Sequence, residues 1–203
     1  MNEEMMEEFT PRVFNIVGEI NDKLAEDFLN WVLLIENDDF LYREAFPDSE
    51  LPVVTINISS FGGMCHAMDV ILDAMDLLEC SIVTRAFGYV ASCGLWIFSR
   101  GDIRLAGNST RFMYHQILYS IDGSLSDHVN MLSDSKNLQS RYDKILYDRT
   151  KITPKILNKH RNHDWWFRKE EALELGVVTT DTNKLKDLFQ LEGEDEIERR
   201  IED

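Results

Sequence analysis

The sequence has little that would staple a chain together or hold it in a membrane. Its three cysteines, Cys65, Cys80 and Cys93, are odd in number and widely spaced, with no CxxC pair. Neither a disulfide framework nor a metal site is expected from them; a reducing compartment is their natural setting, and they read as structural. No apolar run approaches the ~20 residues a membrane span needs. The first stretch, MNEEMMEEFTPR, is acidic and lacks the apolar core of a signal peptide. Basic charge is short too: 21 Lys and Arg face 37 Asp and Glu, a net charge of −16. Such a surface repels phosphate backbones and anionic lipid, so neither nucleic acid nor a membrane is an expected partner. With cysteines of this kind, a cytoplasmic location is the expectation. There are no internal repeats or low-complexity tracts.

What is present is patterning. A chain of 203 residues can bury roughly 70% of the surface its unfolded form exposes. RVFNIVGEI (12–20) reads as a strand, and NDKLAEDFLNWVLLIEN (21–37) as an amphipathic helix capped by Asn21 or Asp22. A polar connector is expected over 38–51. PVVTINI (52–58) is a β-branched run typical of a strand buried on both faces. SSFGG then reads as a tight turn into a helix striped by Met64, Met68, Ile71, Met75 and Leu78, a core face. SIVTRAFGYVAS (81–92) is a strand, CGLWIFSRG a short helix, and DIRLAG and RFMYHQIL two more strands. The alternation predicts an α/β fold with parallel strands and right-handed crossovers. A long polar helix from Ser126 to about Lys151 has too thin an apolar stripe for one core and is expected to project, meeting a neighbouring subunit. Thr153-Pro154 starts another helix, Gly176 stops the next, and VVTT is a last strand. The charged end is expected to be solvated or disordered.

Hydrolysis of an amide needs a nucleophile, a base, a group that orients the base, and donors for an oxyanion. Ser92, in GYVASCGLW, offers a hydroxyl where a buried strand meets a helix, beside unpaired N–H groups and the positive end of the helix dipole. A small residue filling a tight corner would read the same way. The Gly62-Gly63 pair allows a backbone N–H to face a cleft, or simply makes a turn. His115 ends an apolar strand, whereas His66 lies near the start of the methionine-striped helix and His128, His160 and His163 fall in polar helical or loop contexts. Asp164, in NHDWWF, precedes two tryptophans; burial there would raise its pKa unless it had a partner, and a histidine would serve.

Taken together and in this order, the motifs resemble the proteolytic subunit of the Clp protease, ClpP, in the ClpP/crotonase superfamily. ISSFGG is similar to the family's I-N-S-P-G-G, GYVASCG to G-x-A-A-S-M-G, FMYHQIL to V-M-I-H-Q-P, and HDWWFRKEEALELGVVT to R-D-N-F-x-[ST]-A-E-E-A-x-E-Y-G-L-I-D. The likeness runs from about Arg12 to Thr180. It implies a spiral of β-α-β units over 12–185 with a projecting handle helix (about 119–151), a flexible acidic N-terminus (1–11) and a charged tail (186–203). It also implies a serine endopeptidase with Ser92 as nucleophile, His115 as base, Asp164 orienting it, and the backbone N–H groups of Gly63 and Cys93 as oxyanion hole. No cofactor or metal is implied. The implied partners are further copies in a heptameric ring or stacked rings, an AAA+ unfoldase, and unfolded polypeptide.

The chain departs from the pattern at several places. Phe61 and Ile117 replace prolines, Tyr119-Ser120 a glycine pair, His163 an arginine of the ring-to-ring contact, and Arg168 a Ser/Thr cap. The segment before the first strand is short and the 38–51 connector long, which bears on docking an unfoldase. Two other readings stay open: a catalytically weak or inactive assembly subunit, and an acyl-CoA enzyme of the crotonase branch, which would have no use for the ordered Ser, His and Asp.

Overall fold

A computed structural model describes residues 10–181 and has the expected α/β architecture on a mostly parallel sheet. Strands β1 (Val13–Ile20), β2 (Val54–Gly63) and β3 (Ile82–Ala91) lie side by side and parallel. The other edge of β3 is divided between two partners. Its first half pairs with β4 (Ile103–Ala106) and its second with β5 (Arg111–Tyr114), both parallel. Beyond β5 runs β6 (Trp165–Arg168), antiparallel to it. The expected N-terminal segment up to residue 9 and the tail from 186 lie outside the described residues.

The crossovers supply the core. Helix α1 (Asp22–Ala45) starts at Asn21, whose side chain accepts the Leu24 N–H at 3.0 Å, and buries Ala25, Phe28, Trp31, Val32 and Ile35. Helix α2 (Cys65–Met75) buries Met68, Ile71 and Met75 as its stripe predicts, while Met64 stays exposed as the residue before its first turn. Helix α3 (Cys93–Arg100) is apolar all round and buried from Cys93 to Ser99, as a helix packed on every side must be.

Several expectations fail for tertiary reasons. The connector expected over 38–51 is helical as far as Ala45. Asp38 and Asp39 look like loop residues, yet both are buried: Asp38 accepts the Thr10 N–H at 2.7 Å, and Asp39 receives both Arg12 Nη groups at 2.7 and 3.3 Å. SSFGG is not a free turn; it continues β2, with Gly62 and Gly63 in register with Glu19 and Ile20. Nor is β2 sealed on both faces, since Asn57 is half-buried and donates to Asn15 at 2.8 Å. The strand over RFMYHQIL stops at Tyr114. VVTT is not a strand, although Thr179 exchanges bonds with the Arg104 backbone.

Helix α4 (Leu125–Arg149) divides in two. Every residue from Leu125 to Asp134 is exposed, including Val129, Met131 and Leu132, whereas Ser135, Gln139, Tyr142, Asp143 and Leu146 are buried. A capping box of Ser124 and Asp127 holds its exposed start. Helix α5 (Pro154–His160) has the Thr153 cap and first-turn proline as expected. Helix α6 (Lys169–Glu174) begins at Arg168 with no side-chain cap and ends near Gly176 at φ +67°.

Arg104, in β4, joins the ends of these helices. Its buried guanidinium donates to the carbonyls of Gly101, Arg149, Gly176 and Val177 at 2.6–2.9 Å. Burial, reinforced by the charge of Arg149, lowers its pKa to about 10, still far above neutrality. Arg104→Met strips four carbonyls of their donor, and removing one side of such a buried network costs about 3 kcal/mol or more. Urea denaturation is expected to show that loss, with Arg104→Lys recovering only part of it because an ammonium lacks the planar fork.

Candidate active site

Ser92 stands at the one-residue junction between β3 and α3, with φ 53° and ψ −125°. Among the described residues it is the sole non-glycine with positive φ. Its ψ lies far from the left-handed helical well near +47°, so the conformation carries strain of about 1–3 kcal/mol. Two backbone bonds hold it there: the Ser92 N–H donates to Met113 O at 3.0 Å, and Ser92 O accepts the Leu95 N–H at 2.9 Å. A strained serine on a strand-to-helix turn pushes its hydroxyl out of the sheet's end, toward any group arriving there.

The glycines of β2 make room for it. A Cβ added at Gly62, where φ is +103°, would lie 2.7 Å from Ser92 Cβ and 3.0 Å from Oγ. At Gly63 an added Cβ would collide with the backbone of Ile20. Cys93 Sγ donates to Gly63 O at 3.3 Å, so positions 63 and 93 adjoin across the end of β2. Ser60 secures this strand end by donating to Gly18 O at 2.5 Å and accepting the Gly62 N–H at 3.0 Å.

The sheet delivers His115 and Asp164 to the same place. Ala91 is in register with Met113, so His115 follows the β5 residue that holds Ser92 by only two positions. Tyr114 is in register with Trp165 on antiparallel β6, which sets Asp164 opposite His115 just past the last paired residues. Burial lowers the pKa of His115, and the Asp164 carboxylate opposes that shift, with a smaller raising contribution from the Gln116 backbone. His115 and Ser92 are half-buried. Asp164, by contrast, is exposed although Trp165 beside it is buried, so the carboxylate is not desolvated against the tryptophans. No hydrogen bond among the described residues joins Ser92 Oγ to His115, or His115 to Asp164. Catalytic contacts are often long without substrate and tighten when it binds.

A polar cluster that sequence reasoning missed positions the His115 segment. Tyr114 Oη donates to Asp143 Oδ1 at 2.9 Å, and the Ile117 N–H donates to Gln139 Oε1 at 2.8 Å, one bond on each side of His115. Gln139 Nε2 donates to Asp143 Oδ1 at 2.7 Å, and Arg161 to Asp143 Oδ2 at 2.9 Å. Burial and the Asp143 charge push the Tyr114 hydroxyl pKa well up, keeping it a donor. The available signal was Gln139 and Asp143 at i, i+4 on the inner face of the long helix. A cleft of about 520 Å³ opens between this segment and α4, lined by Gln116, Ile117, Tyr119, Leu132, Gln139 and Arg161 among others.

The departures from the family pattern have their own partners. Phe61 stacks on Tyr89 with ring centroids 4.4 Å apart, and Tyr89 meets Trp166 edge-on. His163 reaches His160 at 3.3 Å, and His160 stacks on Trp165. No group of three or more potential metal ligands occurs among the described residues, and none of their helices is long and apolar enough to cross a membrane.

Known proteins resemble this chain over most of its length. The family described as Clp protease matches residues 3–182. The chain is 26% identical over 167 residues to ATP-dependent Clp protease proteolytic subunit 2 of Pseudomonas aeruginosa, covering 80% of this chain and 77% of that one. It is 30% identical over 161 residues to proteolytic subunit 2 of Tropheryma whipplei, covering 78% and 84%. Against the proteolytic subunit of Paracoccus denitrificans the identity is 27% over 165 residues, covering 80% and 77%.

The strain at Ser92 is measurable without any assay of activity. Glycine adopts this φ/ψ freely, at an entropic cost of roughly 0.5–1 kcal/mol in the unfolded state. Ser92→Gly is therefore expected to be more stable than Ser92→Ala by about 1 kcal/mol in thermal or urea unfolding. An alanine variant equal to or more stable than glycine would show that the turn is relaxed.

Proposed function

The chain belongs to the Clp protease family, and from that premise we propose that it is a serine endopeptidase whose nucleophile is Ser92. The observation that carries this reading is the strained Ser92 turn, pinned by its own N–H to the strand that leads into His115. In this reading Ser92 Oγ attacks the scissile carbonyl while His115 takes its proton. The oxyanion is met by the N–H groups of Gly63 and Cys93, at the end of β2 and the start of α3. His115 then protonates the leaving amine, and water returns through the same groups to free the acyl-enzyme. Asp164 orients the imidazole and stabilises its charged form. The cleft between the 116–119 segment and α4 would receive a substrate side chain.

Serine chemistry of this kind selects little by itself, so enclosure must supply selectivity. The exposed first half of α4, with Leu125, Val129, Met131 and Leu132 in solvent, supports a handle role over about 119–151 within the 12–185 domain. Subunits would form a heptameric ring, single or stacked, in a cytoplasmic chamber fed with unfolded polypeptide by an AAA+ unfoldase. An assembly subunit with little activity is the second reading. The unmade bonds from His115 to Ser92 and Asp164, and the irregular backbone from residue 115 to the start of α4, favour it.

A fluorophosphonate probe separates the two: wild type is expected to be labelled and Ser92→Ala to be inert, while an unlabelled wild type supports the second reading. The pH profile carries its own sign. The base must be neutral, so kcat/KM falls as pH drops through the His115 pKa, which burial places below the ordinary histidine value. Asp164 is the influence that raises it, so Asp164→Asn is expected to move the acid limb to lower pH while cutting kcat by up to about 10⁴-fold. An acid limb unmoved by that substitution would remove Asp164 from the role.

A further inference from the structure

Two thiols unused by this chemistry lie beside the candidate nucleophile. Helices α2 and α3 start side by side, each with a cysteine as its first residue, Cys65 and Cys93. Cys93 follows Ser92 and donates its Sγ–H to Gly63 O at 3.3 Å, which brings it to the chain two residues before Cys65. The two thiols are close enough for each to influence the other's titration, and both sulfurs are free. Cys93 is buried, but Cys65 is only half-buried, so one member of the pair meets solvent.

We propose that Cys65 and Cys93 form a reversible thiol modification site, in which a peroxide links them as a disulfide across the base of the Ser92 turn. The chemistry is divided by environment. The neighbouring Cys93 thiol lowers the Cys65 pKa to about 7, with help from the Tyr142 hydroxyl and His66, while burial and Asp69 oppose it. A thiolate at the first residue of an α-helix is also favoured by the helix dipole. Cys93 is shifted the other way, upward, by the Cys65 contact and burial. Cys65 is therefore the attacking thiolate and Cys93 the resolving thiol. Cys65 sulfur displaces hydroxide from the peroxide and becomes a sulfenic acid. Cys93 sulfur then displaces water from that sulfenic acid as its proton leaves. Two thiols and one hydrogen peroxide give one disulfide and two waters, and a dithiol reductant reverses the change.

The consequence rests on reading Ser92 as nucleophile. Linking the sulfurs takes Cys93 Sγ off Gly63 O and draws the first turn of α3 toward α2. That displaces the backbone N–H at position 93, one of the two proposed oxyanion donors. Cys80 is an internal control: it is buried, with a pKa raised by that burial, and stays reduced while the fold is intact.

The test treats the reduced full-length protein with stoichiometric hydrogen peroxide, blocks free thiols with N-ethylmaleimide, and maps peptides by mass spectrometry. A Cys65–Cys93 cross-link is expected, with Cys80 alkylated, and Cys65→Ser gives no cross-link. Fluorophosphonate labelling of the oxidised wild type should slow by about a hundredfold, the scale of losing one oxyanion donor. Dithiothreitol should restore it, and Cys65→Ser should keep its labelling rate through the peroxide treatment. Oxidation that stops at sulfinic acid on Cys65, or that links Cys80 instead, overturns the site. A cross-link that leaves labelling unchanged overturns its control of Ser92. Failure of the reduced protein to label at all would count against the nucleophile alone, because the peptide map judges the disulfide independently.

Discussion

The bond from the Ser92 N–H to Met113 O fixes the geometry on which everything else depends. It is the last rung of the β3–β5 pairing, and it falls where β3 ends and α3 must begin. Because parallel strands deliver their C-terminal ends to one edge of the sheet, this single rung sets Ser92 and His115 at the same level. The antiparallel β6 then brings the chain back to that level from the other direction, with Asp164 past the Tyr114–Trp165 pair. Three residues far apart in sequence are thus placed by strand register, before any side chain is considered.

Register alone would leave the serine in a relaxed conformation facing the sheet. Its positive φ is imposed by the abrupt change from strand to helix, with no loop between them, and is accommodated because Gly62 leaves the space a side chain would fill. The buried α3 helix behind it contributes the compensation, since its apolar residues contact both α2 and the sheet. Strain at one residue is sustainable when burial around it is worth several times more.

The long helix is tied to the site through its inner half. Asp143 holds the Tyr114 side chain and Gln139 the Ile117 backbone, one on each side of His115, and Arg161 completes the charge balance of Asp143. The outer half of the same helix stands in solvent with apolar residues exposed.

Legibility followed the range of the interactions. The Met68, Ile71 and Met75 stripe, the Asn21 and Thr153 caps and the β-branched core of β2 are local signals, and they predicted their elements well. Asp38 and Asp39 misled because their partners, Thr10 and Arg12, come from the start of the chain. Arg104 gave no sign of its role, since its four carbonyl acceptors sit at the ends of other elements. VVTT has strand composition, but its bonds run to the Ala172 carbonyl and to Arg104 rather than along a neighbouring strand. Residue order alone determined which side chains were chemically fit for the site, together with the α/β alternation that carries them, because apolar period and side-chain chemistry are properties of the string. The tertiary structure decided the left-handed serine, the exposed Asp164, the Gln139 and Asp143 supports and the meeting of Cys65 with Cys93, because each depends on register and contact between segments the string keeps apart.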